Sequence, residues 1–264
     1  MSTYVMSDIH GCYDDFISML AQINFSENDQ LIIAGDYIDR GEKTFEMLKW
    51  LENCPSNVTL LCGNHEEKFI EYIELMLMLD RDENLGTDLS SNDDTKALYD
   101  SVRYFINSKA LSFLDFDLYG TISDLLEQHN VTLCDLIKWA DMFQKIPYYK
   151  KLEINGRTCV AVHAGYTDDP EKIGENFADI EDFYLYAREE GLSGGIPHGM
   201  IIAGHTPTIV EEKFAYNSGN VFKYYDPDKD CVFYDIDCGC AFQNINSDAK
   251  LACIRLDDEE VFYI

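Results

Sequence analysis

Three short blocks recur at one interval near the start of the chain: Ser7-Asp8-Ile9-His10-Gly11, Gly35-Asp36-Tyr37-Ile38-Asp39-Arg40-Gly41 and Gly63-Asn64-His65-Glu66. Asp8 and Asp36 are 28 positions apart, and Asp36 and Asn64 are again 28 apart. Each block follows a short run of β-formers: Tyr4–Met6, Gln30–Ala34 and Val58–Cys62. Between them, Tyr13–Ile23 sets Phe16, Ile17, Leu20 and Ile23 on one helical face, and Thr44–Leu51 aligns Phe45, Leu48 and Leu51. Strand and helix repeated with short connections predict right-handed βαβ crossovers. Successive parallel strands end on the same side of a sheet, so the equal spacing delivers Asp8, Asp36 and Asn64 to one edge.

A helix is expected from about Glu66 to Leu79, after which the pattern changes. Residues 80–149 open with the polar stretch DRDENLGTDLSSNDD and continue with helical periodicity at Lys96–Asn107, Ile122–His129 and Leu133–Phe143. No strong strand is expected there, and the region reads as a helical insertion, a cap on a single domain spanning 1–264. Strands return at Thr158–Val162, Met200–Ala203 and Val232–Ile236, and Leu251–Leu256 with Val261–Ile264 reads as a closing hairpin across DDEE. The expected class is α/β, a central β structure flanked by helices. Two of the later strands run into His163-Ala164-Gly165 and Gly204-His205-Thr206. Four of the six histidines thus fall at strand ends beside glycines.

Charge narrows the partners. Lysine and arginine total 20 against 49 aspartate and glutamate, a net charge of −29. Such a field repels nucleic acid and anionic membranes at long range, and no basic patch offsets it, so neither is an expected partner. An anionic substrate would need strong local positive charge. The most apolar run, EYIELMLMLD, is too short and too acidic for a bilayer span. MSTYVMSDIHG lacks the basic and apolar regions of a signal peptide, so a cytoplasmic protein is expected. The nine cysteines show no C-x-x-C spacing and read as reduced thiols, with Cys238-Gly239-Cys240 first a coincidence of position and a redox pair as the alternative. Nothing here speaks to oligomeric state.

Each block alone has an ordinary explanation. A lone Asp8 or Asn64 suits a helix N-cap, a lone His163 or His205 suits a hydrogen-bonded core, and GDYIDRG suits a turn with a surface ion pair. Five such blocks at matching strand ends argue instead for one site. Two divalent ions about 4 Å apart need a bridging carboxylate flanked by oxygen and nitrogen ligands. Asp36 is placed to bridge, with Asp8 and His10 completing one ion and Asn64, His163 and His205 the other. This donor set, without thiolate, suits Mn2+ or Fe, with Zn2+ as the alternative.

The blocks DIHG, GDYIDRG, GNHE, HAG and GHT, in that order, resemble the phosphoprotein phosphatase family of calcineurin-like metallophosphoesterases. Bacterial and phage serine/threonine phosphatases and symmetrical dinucleoside tetraphosphate hydrolases look most similar, and DIDCGCAF resembles a late family segment. The resemblance implies a metallophosphoesterase fold, a β-sandwich of mixed sheets flanked by helices, with a dinuclear site at the strand ends. Carried onto matching positions, it implies Asp8, His10, Asp36, Asn64, His163 and His205 as metal ligands. His65 would be the general acid, Asp39 its orienting partner, and Arg40 a phosphate clamp, with Asn64 also near the phosphate. A second phosphate-binding arginine is expected between HAG and GHT, where Arg188 is the only arginine. The implied reaction is hydrolysis of phosphoric monoesters by a metal-activated hydroxide. Phosphoserine or phosphothreonine protein is the first expected substrate, and a dinucleoside tetraphosphate is the alternative. A catalytically silent binding module is the reading from another class, which the intact acid, Arg40 and ligand set oppose. One departure stands out: Cys62 occupies a position where many protein phosphatases carry arginine.

Overall fold

In the computed structural model, which describes residues 1–109 and 116–264, the opening rhythm forms as the spacing predicts. Its elements are β1 (Thr3–Met6), α1 (Tyr13–Gln22), β2 (Gln30–Ala34), α2 (Thr44–Leu51), β3 (Val58–Leu61) and α3 (Asn64–Asp82). Three helices follow: α4 (Asn92–Lys109), α5 (Phe116–Gln128) and α6 (Leu133–Phe143). The chain then runs through β4 (Tyr149–Ile154), β5 (Arg157–Val162), α7 (Ile180–Tyr186), β6 (Met200–Ala203), β7 (Phe222–Asp226), β8 (Cys231–Asp235), β9 (Ala252–Arg255) and β10 (Glu260–Tyr263).

The strands make two five-stranded sheets, ordered β10-β9-β1-β2-β3 and β4-β5-β6-β8-β7. Each has a parallel trio, β1-β2-β3 in one and β5-β6-β8 in the other, with antiparallel strands at its edge or edges. Alternation along the strands explains the layering. Val5, Ile32, Ala34 and Leu61 face Ala161, Met200, Ile202 and Tyr234 across the sandwich interior. Tyr4, Met6, Leu31 and Ile33 point the other way, into a core with α1, α2, α3 and the helices that follow. On the far side, Val160, Val162, Ile201 and Phe233 pack with Phe183 and Tyr184 of α7. Strands covered on both faces read as continuous apolar runs, which is why these trios were visible in the sequence.

Three details differ from expectation. Strands β4 and β7 were not anticipated; both are edge strands whose side chains are largely exposed, so no burial pattern marks them. Helix α3 begins at Asn64 rather than Glu66, with Gly63 at the N-cap, so Asn64 is not a cap but the first helical residue. The short helix α7 also went unmarked. Helices α4, α5 and α6 pack on α3, and Trp139 of α6 donates its indole N–H to Glu52 at the end of α2 (2.7 Å). This part of the chain covers the outer face of the first sheet. The expected insertion also includes residues 110–115, which lie outside the described residues.

Candidate metal centre

The two parallel trios end on the same side of the sandwich, and the loops that leave them are stitched together. His10 N–H donates to the Asp36 carbonyl (2.9 Å), Gly11 N–H to the Tyr37 carbonyl (2.8 Å), and Gly204 N–H to the His163 carbonyl (2.7 Å). The sharp turns carry a backbone cost. Among the described residues, fourteen non-glycine positions have positive φ, and six of these are Asp8, His10, Asp36, Asp39, Arg40 and His205. Such conformations cost roughly 1–3 kcal/mol each and persist where surrounding structure enforces them. Gly63 is needed for close approach: a Cβ there would collide with Asp36 Oδ1 and lie 2.8 Å from Glu66 Oε2.

The six expected ligand residues converge, and five of them are nearly fully buried. Asp36 sits between two donor groups, His10–Asp36–His65 and Asp36–His163–His205. Its Oδ2 is 3.4 Å from His10 Nε2, and its Oδ1 is 3.5 Å from His163 Nε2. Asp8 Oδ1 stands 4.0 Å from His10 Nε2, and the Asp8 carboxylate accepts the His205 backbone N–H. Hydrogen bonding at the far ring nitrogens fixes the imidazoles. His10 Nδ1 donates to the Ile38 carbonyl (2.8 Å) and His163 Nδ1 to the Ala34 carbonyl (2.9 Å). Each therefore turns an Nε2 lone pair inward, the orientation a metal-binding histidine takes from its outer partner. His163 Nε2 then meets Asn64 Oδ1 at 2.9 Å and His205 Nδ1 at 3.2 Å, and the latter two are 3.0 Å apart. Three potential ligand atoms converge in this way at distances a shared cation would bridge, so the residues fit a metal.

His65 and Asp39 form a separate pair. His65 Nδ1 donates to Asp39 Oδ2 (2.6 Å), both side chains being buried, which leaves Nε2 directed at the cavity, 3.8 Å from Asp36 Oδ2. Arg40 reaches His10 Nε2 and His65 Nε2 with its two terminal nitrogens, at 2.8 and 3.1 Å, and its guanidinium lies 5.6 Å from the Phe242 ring. Arg188 enters the same space, its Nη1 donating to the His205 carbonyl and Thr206 Oγ1, both at 3.2 Å.

Burial sets the protonation states, with charge deciding where burial is overruled. Burial and the Asp36 charge push Asp8 up to about 7. Burial also acts to raise Asp36, but the imidazoles of His163, His65, His10 and His205 hold it well below the usual carboxylate range. Burial, aided by neighbouring imidazoles, drives His10 and His205 well below the usual histidine value, so both are neutral, the form that binds metal. His65 goes the other way: burial opposes its charge, yet Asp36 and Asp39 raise it to about 9.

The structure adds residues that the sequence reading missed. Glu66 is fully buried and accepts the backbone N–H groups of Asp36 (2.8 Å), Tyr37 (2.9 Å) and Gly63 (3.0 Å), fastening the second block to the third. Its place in GNHE was the available signal. Asp237, also buried, faces Asp8 electrostatically and accepts Gly239 N–H at 2.9 Å. A cavity of about 340 Å³ opens over the centre, lined by Arg40, Lys68, Arg188 and Lys213 together with Tyr186 and Phe242. Lys68 is one turn from His65 on α3, a spacing that could have exposed it. Among the described residues, nothing from 80–149 lines this cavity; α5 instead borders a neighbouring depression beside Arg40 through Gly120, Thr121 and Asp124. Cys62 is buried and is not in the cavity wall.

Two mixed sheets in a sandwich, with helices on both faces and histidine and aspartate donors at the strand ends, define a metal-dependent phosphoesterase architecture. The calcineurin-like phosphoesterase family model matches residues 1–208, and the chain belongs to that family. Members work through a dinuclear divalent metal centre, and the two donor groups sharing Asp36 are candidates for one. Among curated proteins, the symmetrical bis(5'-nucleosyl)-tetraphosphatase of Klebsiella pneumoniae is 42% identical over 67 residues, 25% of this chain and 24% of that protein. That of Buchnera aphidicola is 35% identical over 104 residues, 39% of this chain and 38% of that protein. The chain thus aligns with well under half the length of these relatives. Among solved structures, a protein assigned as a diadenosine tetraphosphatase matches with a TM-score of 0.53 at 15% identity, over 99% of this chain and 92% of that one. A serine/threonine phosphatase from Saccharomyces cerevisiae with similarity to human phosphatase PP5 matches with a TM-score of 0.50 at 14% identity, over 100% and 79%. These structures support the fold. Among the described residues, no helix is long and apolar enough to cross a membrane.

Proposed function

We propose that the protein hydrolyses phosphoric esters at a dinuclear centre built on Asp36. The observation that carries this reading is the convergence of inward-facing nitrogen and oxygen ligand atoms around that one carboxylate. Asp8, His10 and Asp36 would hold one divalent cation, and Asp36, Asn64, His163 and His205 the other. When bound, the ions supply Lewis acidity and lower the pKa of water toward neutrality.

The chain's own residues do the rest. Arg40 and Arg188 draw the non-bridging phosphate oxygens into place and offset charge gained in the transition state. Asp39 keeps the His65 proton on Nδ1 engaged and supports the imidazolium, so Nε2 can hand a proton to the departing oxygen. Glu66 holds the Asp36 loop at its fixed height through three backbone hydrogen bonds.

Motif resemblance placed phosphoserine and phosphothreonine first; the cavity favours the other order. Four of the chain's 20 cationic residues line it, more positive charge than one phosphomonoester needs. A dinucleoside polyphosphate uses such charge along its chain of phosphates, and Tyr186 and Phe242 offer faces for a base. The activity named for the curated relatives agrees. One observation favours phosphoprotein as the second reading. The cavity continues past Tyr186, Arg188 and Lys213 into a groove edged by Glu189, Glu190 and Glu212, which suits a basic peptide. Manganese-loaded protein assayed on a phosphoserine peptide and on a bis-adenosine tetraphosphate under identical conditions ranks the two. Turnover of neither, with both metals bound, removes the hydrolase reading.

A further inference from the structure

The loop after β8 and the start of α1 enclose a second donor cluster that the centre around Asp36 does not use. Cys12 is the residue before α1, and Asp15 lies three positions on, over the same face of the first turn. Cys240 opens the short 3-10 turn Cys240–Phe242, and Gly239 before it adopts φ 77°. All nine cysteines are free thiols. The thiol that shares this cluster with Cys240 is not that of its near neighbour Cys238 but that of Cys12, whose Sγ lies within 4.8 Å. Cys240 Sγ is 3.8 Å from Asp15 Oδ2, and one donor atom from each of the three residues lies within 4.8 Å of the others.

These spacings suit a tetrahedral ion. With bonds of about 2.3 Å to sulfur and 2.0–2.2 Å to a carboxylate, neighbouring ligand atoms stand roughly 3.5–3.8 Å apart. The Cys240–Asp15 edge already has that length, and small side-chain rotations would bring in Cys12. A cavity of about 240 Å³, bordered by Cys12, Asp15, Cys240, Gln243 and Asn244, opens onto the cluster. It gives an entry route and room for a water as fourth ligand.

We propose that Cys12, Asp15 and Cys240 form a binding site for a thiophilic divalent cation of the zinc and cadmium type, distinct from the centre on Asp36. Two thiolates select against hard ions such as Mn2+, while the oxygen and nitrogen donors around Asp36 accept them, so one chain sorts two classes of metal. The position couples the sites mechanically. Cys12 is two residues from His10, and the turn carrying Cys240 also carries Phe242, against which Arg40 rests. An ion held here ties the first ligand loop to the support of Arg40.

The test uses the full chain, reduced with a phosphine, loaded with Mn2+ and titrated with Cd2+. The readout is the ultraviolet thiolate-to-cadmium charge-transfer band, to which the sulfur-free centre on Asp36 is silent, with Mn2+ retention followed by electron paramagnetic resonance. One equivalent of Cd2+ should saturate the band without releasing Mn2+, and Zn2+ should compete it away. Cys12→Ser and Cys240→Ser should abolish it. Asp15→Asn, a change on the more open side of the cluster, should weaken binding by roughly tenfold or more, whereas replacing the exposed Cys134 by Ser should change nothing. A band that survives in Cys240→Ser, one that Asp15→Asn leaves at full affinity, or Cd2+ uptake that only displaces Mn2+ overturns the assignment.

Discussion

Replacing His65 by asparagine separates proton transfer from every other contribution at the site. His65 Nδ1 is committed to Asp39 at 2.6 Å, and Nε2 stands 3.8 Å from Asp36 Oδ2, beside the atom around which the centre is organised. A positioned general acid contributes about 10²–10⁴ in rate, equal to roughly 3–5 kcal/mol of barrier at 1.36 kcal/mol per decade. That contribution is needed only when the leaving oxygen is a poor one. On a phosphoserine peptide, which expels an alkoxide, His65→Asn should lose about 10²–10⁴ in kcat. On a nitrophenyl phosphate, whose leaving group needs no proton, the loss should stay near tenfold or less. A bis-adenosine tetraphosphate, which expels a nucleotide phosphate, should behave like the aryl ester. Metal content and thermal midpoint are measured on the same samples, because Asp39 is left buried without its ionic partner; breaking such pairs costs about 3–5 kcal/mol, partly recovered by the asparagine amide. Equal losses on the alkyl and aryl esters would refute the acid role. A loss of bound metal would instead make His65 a ligand, as its grouping with His10 and Asp36 allows.

Three further outcomes are expected. Asp36→Asn removes the carboxylate shared by both donor groups and should reduce bound metal from two equivalents to one or none, measured by elemental analysis after dialysis. Glu66→Gln sets an amide N–H against one of three buried backbone donors; it should destabilise by about 1–3 kcal/mol, lowering the midpoint by roughly 2–4 °C per kcal/mol, and weaken metal binding. Chelated protein should lose stability between about pH 6.5 and 9. His65 is raised from 6.5 to about 9, so its stabilisation is complete below 6.5 and gone above 9, a change of up to about 3 kcal/mol. Over the lower part of that range the raised pKa values of Asp8, about 7, and Glu66, about 8, act in the same direction, because ionising a buried carboxyl costs stability as pH rises. The depressed histidines His10 and His205 oppose this fall only up to about pH 7.5, where their unfolded imidazoles finish losing protons, and add no slope above it. Manganese should flatten the profile, and a chelated midpoint that rises across this window would contradict the assigned shifts.

What the sequence showed and what it hid follow from how each feature is encoded. The parallel trios are buried on both faces, so their strands read as apolar runs, and the equal 28-residue spacing of Asp8, Asp36 and Asn64 marked their common edge. Strands β4 and β7 lie at sheet edges with exposed side chains, and YKKLEI or FKYYD carries no burial pattern to find. Donor residues were legible because few side chains bind metal and their positions repeat a known order. Glu66 was not, because a glutamate that serves backbone N–H groups looks the same in sequence as one that serves solvent. The positive charge in the cavity was hidden for another reason. Arg40, Lys68, Arg188 and Lys213 are spread over four segments, and a net charge of −29 gives no hint that they meet. Their meeting resolves the electrostatic problem the composition posed: the acidic surface repels anions in general, while a small cationic cavity over the centre supplies the attraction a phosphate needs. Raising ionic strength should therefore weaken the long-range surface repulsion more than the short-range attraction between cavity cations and a seated phosphate. On that argument kcat/KM for an anionic substrate should hold steady or rise with modest salt, and a steep fall would place the dominant steering charge on the outer surface instead.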